Sequence, residues 1–128
     1  MTTPLDILFI EDSEADYLLI TRALKQFGLL GRFRRVDDHD SMIEALNEES
    51  WDLVLSDYSV PGLYFTETLG YFKHHFPKLP LILVSGTIGE VKAAVMVKLG
   101  AADYVSKDSL DDLPPAIEKA LARAAKAG

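Results

Sequence analysis

Short, nearly continuous apolar runs alternate along the chain with longer stretches whose apolar residues recur every three or four positions. Leu5-Asp6-Ile7-Leu8-Phe9-Ile10, Asp52-Leu53-Val54-Leu55-Ser56-Asp57 and Leu81-Ile82-Leu83-Val84 are of the first kind. Runs this short and this apolar read as strands covered on both faces. Two weaker strands are predicted over 31–36, where Arg32, Arg34 and Arg35 interleave with Phe33 and Val36, and over 103–106. The second kind predicts helices. One spans 14–27, with Ile20, Ala23, Leu24 and Phe27 as its apolar stripe and Gly28 as its stop. A short helix over 40–48 turns Ile43 and Leu46 inward. A third, over 65–76, is ended by Pro77 and Pro80, and a fourth, over 90–99, by Gly100. The last, over 110–126, carries Pro114-Pro115 in its first turn, where proline is tolerated. Pro61-Gly62 marks a loop.

Five strands and five helices in alternation specify an α/β fold with a parallel sheet and helices on both faces. Right-handed crossovers leave few topologies, and the expected one is the flavodoxin-like (βα)5 doubly wound sheet with strand order 2-1-3-4-5. No repeat or linker interrupts the pattern, so residues 1–128 are expected to form a single domain.

Composition narrows the chemistry. Of 128 residues, 48% are apolar and 26% charged, enough to bury a core and too apolar for a disordered tail. Cysteine is absent, which removes disulfide frameworks, thiolate metal sites and cysteine nucleophiles. Thirteen basic against 20 acidic residues give a net charge of −7, which disfavours nucleic acid and anionic membranes as partners and favours cations or basic surfaces. Met1-Thr2-Thr3-Pro4 opens no signal peptide, and no apolar stretch is long enough to span a bilayer. The expected location is the cytoplasm.

In an open α/β sheet, sites lie at the carboxyl ends of the strands. Those ends carry Glu11-Asp12, Asp57, Ser85-Gly86-Thr87 and Ser106-Lys107. Adjacent strands would bring three carboxylates and one ammonium together. Two negative charges then stay uncompensated, and a divalent cation would balance them. Hard oxygen donors with room for water favour Mg2+.

The same residues, in this order and on these elements, resemble a response-regulator receiver domain, the phosphoacceptor module of two-component signalling. The resemblance rests on Glu11-Asp12, Asp57 and Pro61-Gly62, then Ser85, Gly100-Ala101-Ala102-Asp103-Tyr104 and Lys107, and it covers essentially the whole chain. It implies that Asp57 takes a phosphoryl group from a sensor histidine kinase or a histidine phosphotransfer protein. Glu11, Asp12, Asp57 and the backbone carbonyl of Ser59 would hold Mg2+. Lys107 would pair with Asp57 and then with a phosphoryl oxygen, and Ser85 would donate its hydroxyl to the phosphoryl group. Tyr104 would follow Ser85 as a switch, and Gly86 would leave room for the phosphoryl group to enter. Ala15 and Leu18, on the outer face of the first helix, would contribute to docking of the phosphodonor. The chain would not be a turnover enzyme, although it would assist its own phosphorylation and dephosphorylation, and it would signal to a downstream protein target. Ending after the fifth helix, it is expected to carry no output domain, as a stand-alone regulator or as a domain of a larger protein such as a hybrid kinase.

Three features depart from the usual receiver pattern. Tyr64-Phe65 stands where many receivers have Asp-Gly, Asp108 replaces the common proline after the lysine, and Ser85 replaces a frequent threonine. The Tyr64-Phe65 aromatics either fold back onto the sheet or form a contact surface. Two rival readings are a pseudo-receiver that binds proteins without accepting phosphate and a flavodoxin-like cofactor binder. Glu11-Asp12-Ser13-Glu14 disfavours the second, because it would repel a cofactor phosphate.

Other features read as ordinary surface. Gly86-Thr87-Ile88-Gly89 lacks the lysine of a P-loop and reads as a turn. His74-His75 read as solvated helix-end residues, and His39 as a loop histidine. Asp37, Asp38 and Asp40 read as a turn and helix cap. The three arginines over 31–36 read as solvated side chains on an outer strand.

Overall fold

The computed structural model describes residues 4–127. In chain order it contains β1 (Leu5–Ile10), α1 (Glu14–Gln26), β2 (Gly31–Val36), α2 (His39–Glu48), β3 (Leu53–Ser56), β4 (Ser59–Val60), β5 (Leu63–Tyr64), α3 (Phe65–His75), β6 (Leu81–Ser85), α4 (Glu90–Lys98), β7 (Asp103–Ser106) and α5 (Leu113–Ala127). The main sheet is β2-β1-β3-β6-β7, all parallel. Counting its five strands alone, this is the expected order 2-1-3-4-5. Strands β4 and β5 form a separate antiparallel pair, with Ser59 opposite Tyr64 and Val60 opposite Leu63.

The sheet divides the core into two layers. On one face Leu8, Ile10, Val54 and Leu83 pack with Met42, Leu46, Leu69, Phe72 and Met96. On the other, Ile7, Phe9, Leu55, Ile82 and Val84 pack with Ile20, Leu24, Leu113 and Ile117. Side chains alternate across each central strand, and both faces are apolar because helices cover both. Every central strand therefore has its rigid interior in the core and its carboxyl end at one rim. That rim positions the site. Among the described residues, no helix is long and apolar enough to cross a membrane.

Three expectations are revised. Phe27 is not in the apolar stripe of α1 but 60% exposed. The helix stops one residue earlier, Gly28 turns the chain at φ +92°, and the Leu29 N–H returns to the Leu24 carbonyl, so Leu29 enters the core instead. In α2 the buried positions are Met42, Ala45 and Leu46, with Ile43 only half-buried. The last helix starts at Leu113, after a 3-10 turn over Leu110–Asp112. Pro114 and Pro115 have no N–H to return to the carbonyls of Leu110 and Asp111, so an α-helix cannot include that segment. The Pro61-Gly62 loop is the turn of the β4–β5 hairpin, with proline followed by glycine at φ +82°, as a type II turn requires.

The Tyr64-Phe65 pair divides its two readings. Phe65 is buried and lies 5.7 Å from the Tyr58 ring, whereas Tyr64 is 72% exposed. The Lys107–Asp108 bond is trans, as are all peptide bonds among the described residues.

Candidate functional site

The carboxyl rim brings the strand-end residues together. Strand β1 delivers Glu11, which is 2% exposed and accepts the Ser13 N–H at Oε2 over 3.1 Å. Strand β3 delivers Asp57, whose backbone N–H bonds to the Ile10 carbonyl and whose Oδ1 accepts the Tyr58 N–H at 2.7 Å. Strand β7 delivers Lys107, whose backbone N–H bonds to the Ser85 carbonyl at 3.1 Å. The loop residues are thus fixed by the ladder of the sheet itself.

Carboxylate oxygens of Glu11, Asp12 and Asp57 lie within 4.8 Å of one another. Glu11 is buried, Asp57 half-buried and Asp12 exposed, so the cluster opens to water on the Asp12 side. Burial pushes the Glu11 carboxyl above its ordinary range, and the nearby Asp57 charge adds to this; bonds from Lys107 and Ser13 act in the opposite direction. A hard divalent cation answers both effects, since it would hold Glu11 ionised and screen it from Asp57. The three carboxylates fit such an ion in donor type, charge and spacing.

The Lys107 ammonium reaches Asp57 Oδ2 at 3.0 Å and Glu11 Oε1 at 2.7 Å. It also reaches Asp16 Oδ2 at 2.7 Å. Burial alone would lower the lysine's affinity for its proton, but Asp16, Glu11 and Asp57 outweigh it and raise that affinity well above normal. Asp16 escaped the sequence reading. In sequence it is one of two acids in the first turn of a helix, where the dipole favours acids without any further role.

The hydroxyl side of the site is assembled from β4 and the β6–α4 turn. Ser85 is fully buried, and its Oγ accepts the Thr87 N–H at 3.3 Å. Thr87 Oγ1 lies 3.3 Å from Ser85 Oγ and 3.4 Å from Ser59 Oγ, bridging the two serines. Thr87 therefore lies at the rim where its strand end predicts it, and its hydroxyl adds a bridge that its turn does not announce. A Cβ on Gly86 would meet Lys107 Cβ at 3.7 Å, so this glycine lies against the stem of the lysine. The Tyr104 hydroxyl donates to the carbonyls of Ser85 at 3.4 Å and Ile88 at 3.5 Å, with its ring half-buried beneath the β6–α4 turn.

The remaining candidates lie outside this cluster. Ala15 and Leu18 are exposed on α1, Leu18 at 52%. His74 and His75 are exposed at the end of α3, and Asp38 caps α2 by accepting the Ser41 N–H at 2.7 Å. The arginines of β2 are paired rather than merely solvated: Arg32 with Asp6 and Glu49, Arg34 with Glu48 and Glu49, and Arg35 with Asp37. A cavity of about 300 Å³ lined by Phe72, Phe76 and Arg123 also includes Pro80 and Leu81, at the start of β6 and so at the opposite end of the sheet.

Comparison with known proteins matches this arrangement. The family model of the response regulator receiver domain matches residues 7–118. The transcriptional regulatory protein FixJ of Bradyrhizobium diazoefficiens is 34% identical over 128 residues, covering 97% of this chain and 60% of the relative. The response regulator protein FleR of Pseudomonas aeruginosa is 32% identical over 103 residues, covering 79% of this chain and 21% of the relative. The crystal structure of full-length FixJ from B. japonicum superposes with a TM-score of 0.80 at 31% identity, covering 96% of this chain and 60% of that one. NtrX from Brucella abortus in complex with ADP gives 0.82 at 29% identity, covering 95% of this chain and 28% of that one. The chain thus spans between a fifth and three fifths of these longer proteins. With the acidic cluster, the lysine and the parallel sheet already in place, the match over residues 7–118 completes the assignment: the chain belongs to the receiver domains of two-component response regulators.

Proposed function

We propose that Asp57 is the phosphoacceptor, taking a phosphoryl group from a phosphohistidine of a sensor histidine kinase or a histidine phosphotransfer protein. The observation that carries this reading is the contact of Lys107 with Asp57 at 3.0 Å, inside a cluster that also holds Glu11 and Asp12. In the transfer, the phosphorus–nitrogen bond of the donor breaks and a phosphorus–oxygen bond to Asp57 forms. The imidazole leaves with the electron pair of the broken bond. Such a reaction depends on in-line positioning and charge stabilisation rather than covalent help.

Glu11, Asp12 and Asp57, with the backbone carbonyl of Ser59, would hold Mg2+. The cation would supply neutralisation of the phosphoryl oxygens. Lys107 provides a second positive charge at the same place, and Ser85 and Thr87 offer hydroxyls from the end of β6 and the turn after it. Gly86 keeps bulk away from the approach beside Lys107. The product is an acyl phosphate, which water can cleave, and the same groups that assist its formation would assist its loss.

Phosphorylation then acts as a local change of charge that biases a two-state element. The Tyr104 hydroxyl bonds to the carbonyls of Ser85 and of Ile88 in the β6–α4 turn, so a shift of the Ser85 hydroxyl toward the phosphoryl group would be transmitted to the ring. Residues 1–128 act as one domain in this reading and signal to a downstream protein target from the cytoplasm. Ala15 and Leu18, exposed on α1 close to the rim, would meet the phosphodonor.

The test is the intact mass of the protein after incubation with acetyl phosphate, with and without Mg2+, beside Asp57→Asn. The expected result is a magnesium-dependent gain of one phosphoryl group, lost in the variant. No adduct in folded protein under any condition would overturn the reading and favour a pseudo-receiver.

A further inference from the structure

We propose that Asp16 is a positioning residue for phosphoryl transfer: it keeps the Lys107 ammonium beside Asp57 when a divalent cation occupies the acidic cluster. The inference rests on the proposed function and concerns the same site.

Three carboxylates surround the Lys107 ammonium: it donates to Asp16 at 2.7 Å and to Asp57 at 3.0 Å, and it pairs in charge with Glu11 at 2.7 Å. Two of these carboxylates, Glu11 and Asp57, are also members of the cation cluster. A bound cation draws on their lone pairs and repels the ammonium, so both contacts weaken just when the lysine is needed. Asp16 is not a member of that cluster. It is the one partner of the three whose hold on Lys107 does not compete with the metal.

The position of Asp16 is itself built. Its backbone N–H is fixed by the Ser13 hydroxyl at 3.1 Å, and the Ser13 N–H is fixed by Glu11 Oε2 at 3.1 Å. Lys107 therefore touches both the β1–α1 connection, through Glu11, and the first turn of α1, through Asp16, with Ser13 bonded to both. The Asp16 side chain is 37% exposed. Its removal leaves the core untouched, and water replaces it at the rim.

Two readouts on the full chain test this. First, the rate of phosphorylation by acetyl phosphate is measured across Mg2+ concentrations for the wild type, Asp16→Asn and Asp16→Glu. The rate at saturating Mg2+ is expected to fall by about tenfold in Asp16→Asn, the scale of one lost charge-assisted hydrogen bond, and to recover in part in Asp16→Glu. Second, lysine acylation by an amine reagent is followed residue by residue with peptide mass analysis, with and without Mg2+. Lys107 is expected to stay protected in the wild type under both conditions and to label several-fold faster in Asp16→Asn once Mg2+ is present. A role confined to stability would leave this magnesium-dependent difference at zero. Wild-type rates together with unchanged Lys107 labelling in Asp16→Asn would overturn the proposal. If the wild type takes no phosphoryl group at all, the functional reading fails, and the labelling still decides whether Asp16 holds the lysine.

Discussion

The Tyr104 hydroxyl donates to the Ser85 carbonyl at 3.4 Å, the same carbonyl that accepts the backbone N–H of Lys107 at 3.1 Å. One oxygen thus joins the aromatic ring, the buried serine and the strand end that presents the lysine. Both bonds of the Tyr104 hydroxyl are long, so each contributes little to stability, under about 1 kcal/mol. Tyr104→Phe is expected to lower the unfolding free energy by no more than that in urea titration. Tyr104→Ala is expected to accept a phosphoryl group while losing the accompanying change at α4, read from backbone amide signals over Glu90–Lys98. An unchanged α4 response in Tyr104→Ala would remove the ring from the switch.

Glu11 sets a pH dependence whose sign follows from its burial. Its folded carboxyl titrates above the ordinary range, so the folded state binds this proton more tightly than the unfolded chain does. Its contribution to stability is present below the ordinary glutamate range and is lost as pH rises through the folded value. Glu11→Gln keeps the shape and removes that loss. Without divalent cations it is expected to melt higher than the wild type at neutral pH, with the advantage vanishing as pH falls below the unfolded range. Added Mg2+ is expected to reverse the order, because only the wild type gains from binding: saturation at a hundred times the dissociation constant stabilises by about 2.7 kcal/mol. Thermal melts at two pH values, with Mg2+ and with chelator, decide both points.

The hairpin β4–β5 gives a contrast between neighbours. Phe65 is buried against Tyr58, whereas Tyr64 extends into solvent. Phe65→Ala is expected to cost about 3–5 kcal/mol and Tyr64→Ala within about 0.5 kcal/mol by urea unfolding. Equal costs would mean that Tyr64 also packs.

The strands and their order were legible because each central strand is an apolar run with both faces covered, as Leu53-Val54-Leu55 is, and because handed crossovers leave few arrangements. Topology alone then predicted that Glu11, Asp57 and Lys107 meet. Asp16 was not legible: its partner lies 91 residues away, and a first-turn acid needs no partner to be explained. The contacts of Thr87, though not its place at the rim, were hidden for a related reason, since a hydroxyl in a glycine-flanked turn carries no mark of what it bridges. The β4–β5 hairpin has two residues per strand, too few for any alternation to register. Phe27 misled because helical spacing extends the stripe to it, whereas the Gly28 turn brings Leu29 into the core in its place.

Strand β2 is one of the two outer margins of the sheet, next to β1 alone, as β7 is next to β6 alone. An unpaired margin is a template for another chain, and a flat apolar one invites fibrous growth. Here Arg32 is held by Asp6 at 3.0 Å and Glu49 at 2.8 Å, and Arg34 by Glu48 at 2.8 Å. The pairs fasten β2 to β1 and to the end of α2, and they leave the Arg32 side chain 62% exposed at this margin. A second copy offering its own β2 would bring arginine against arginine. A strand that looked weak in the sequence thus guards one of the sheet's two open margins against its neighbours.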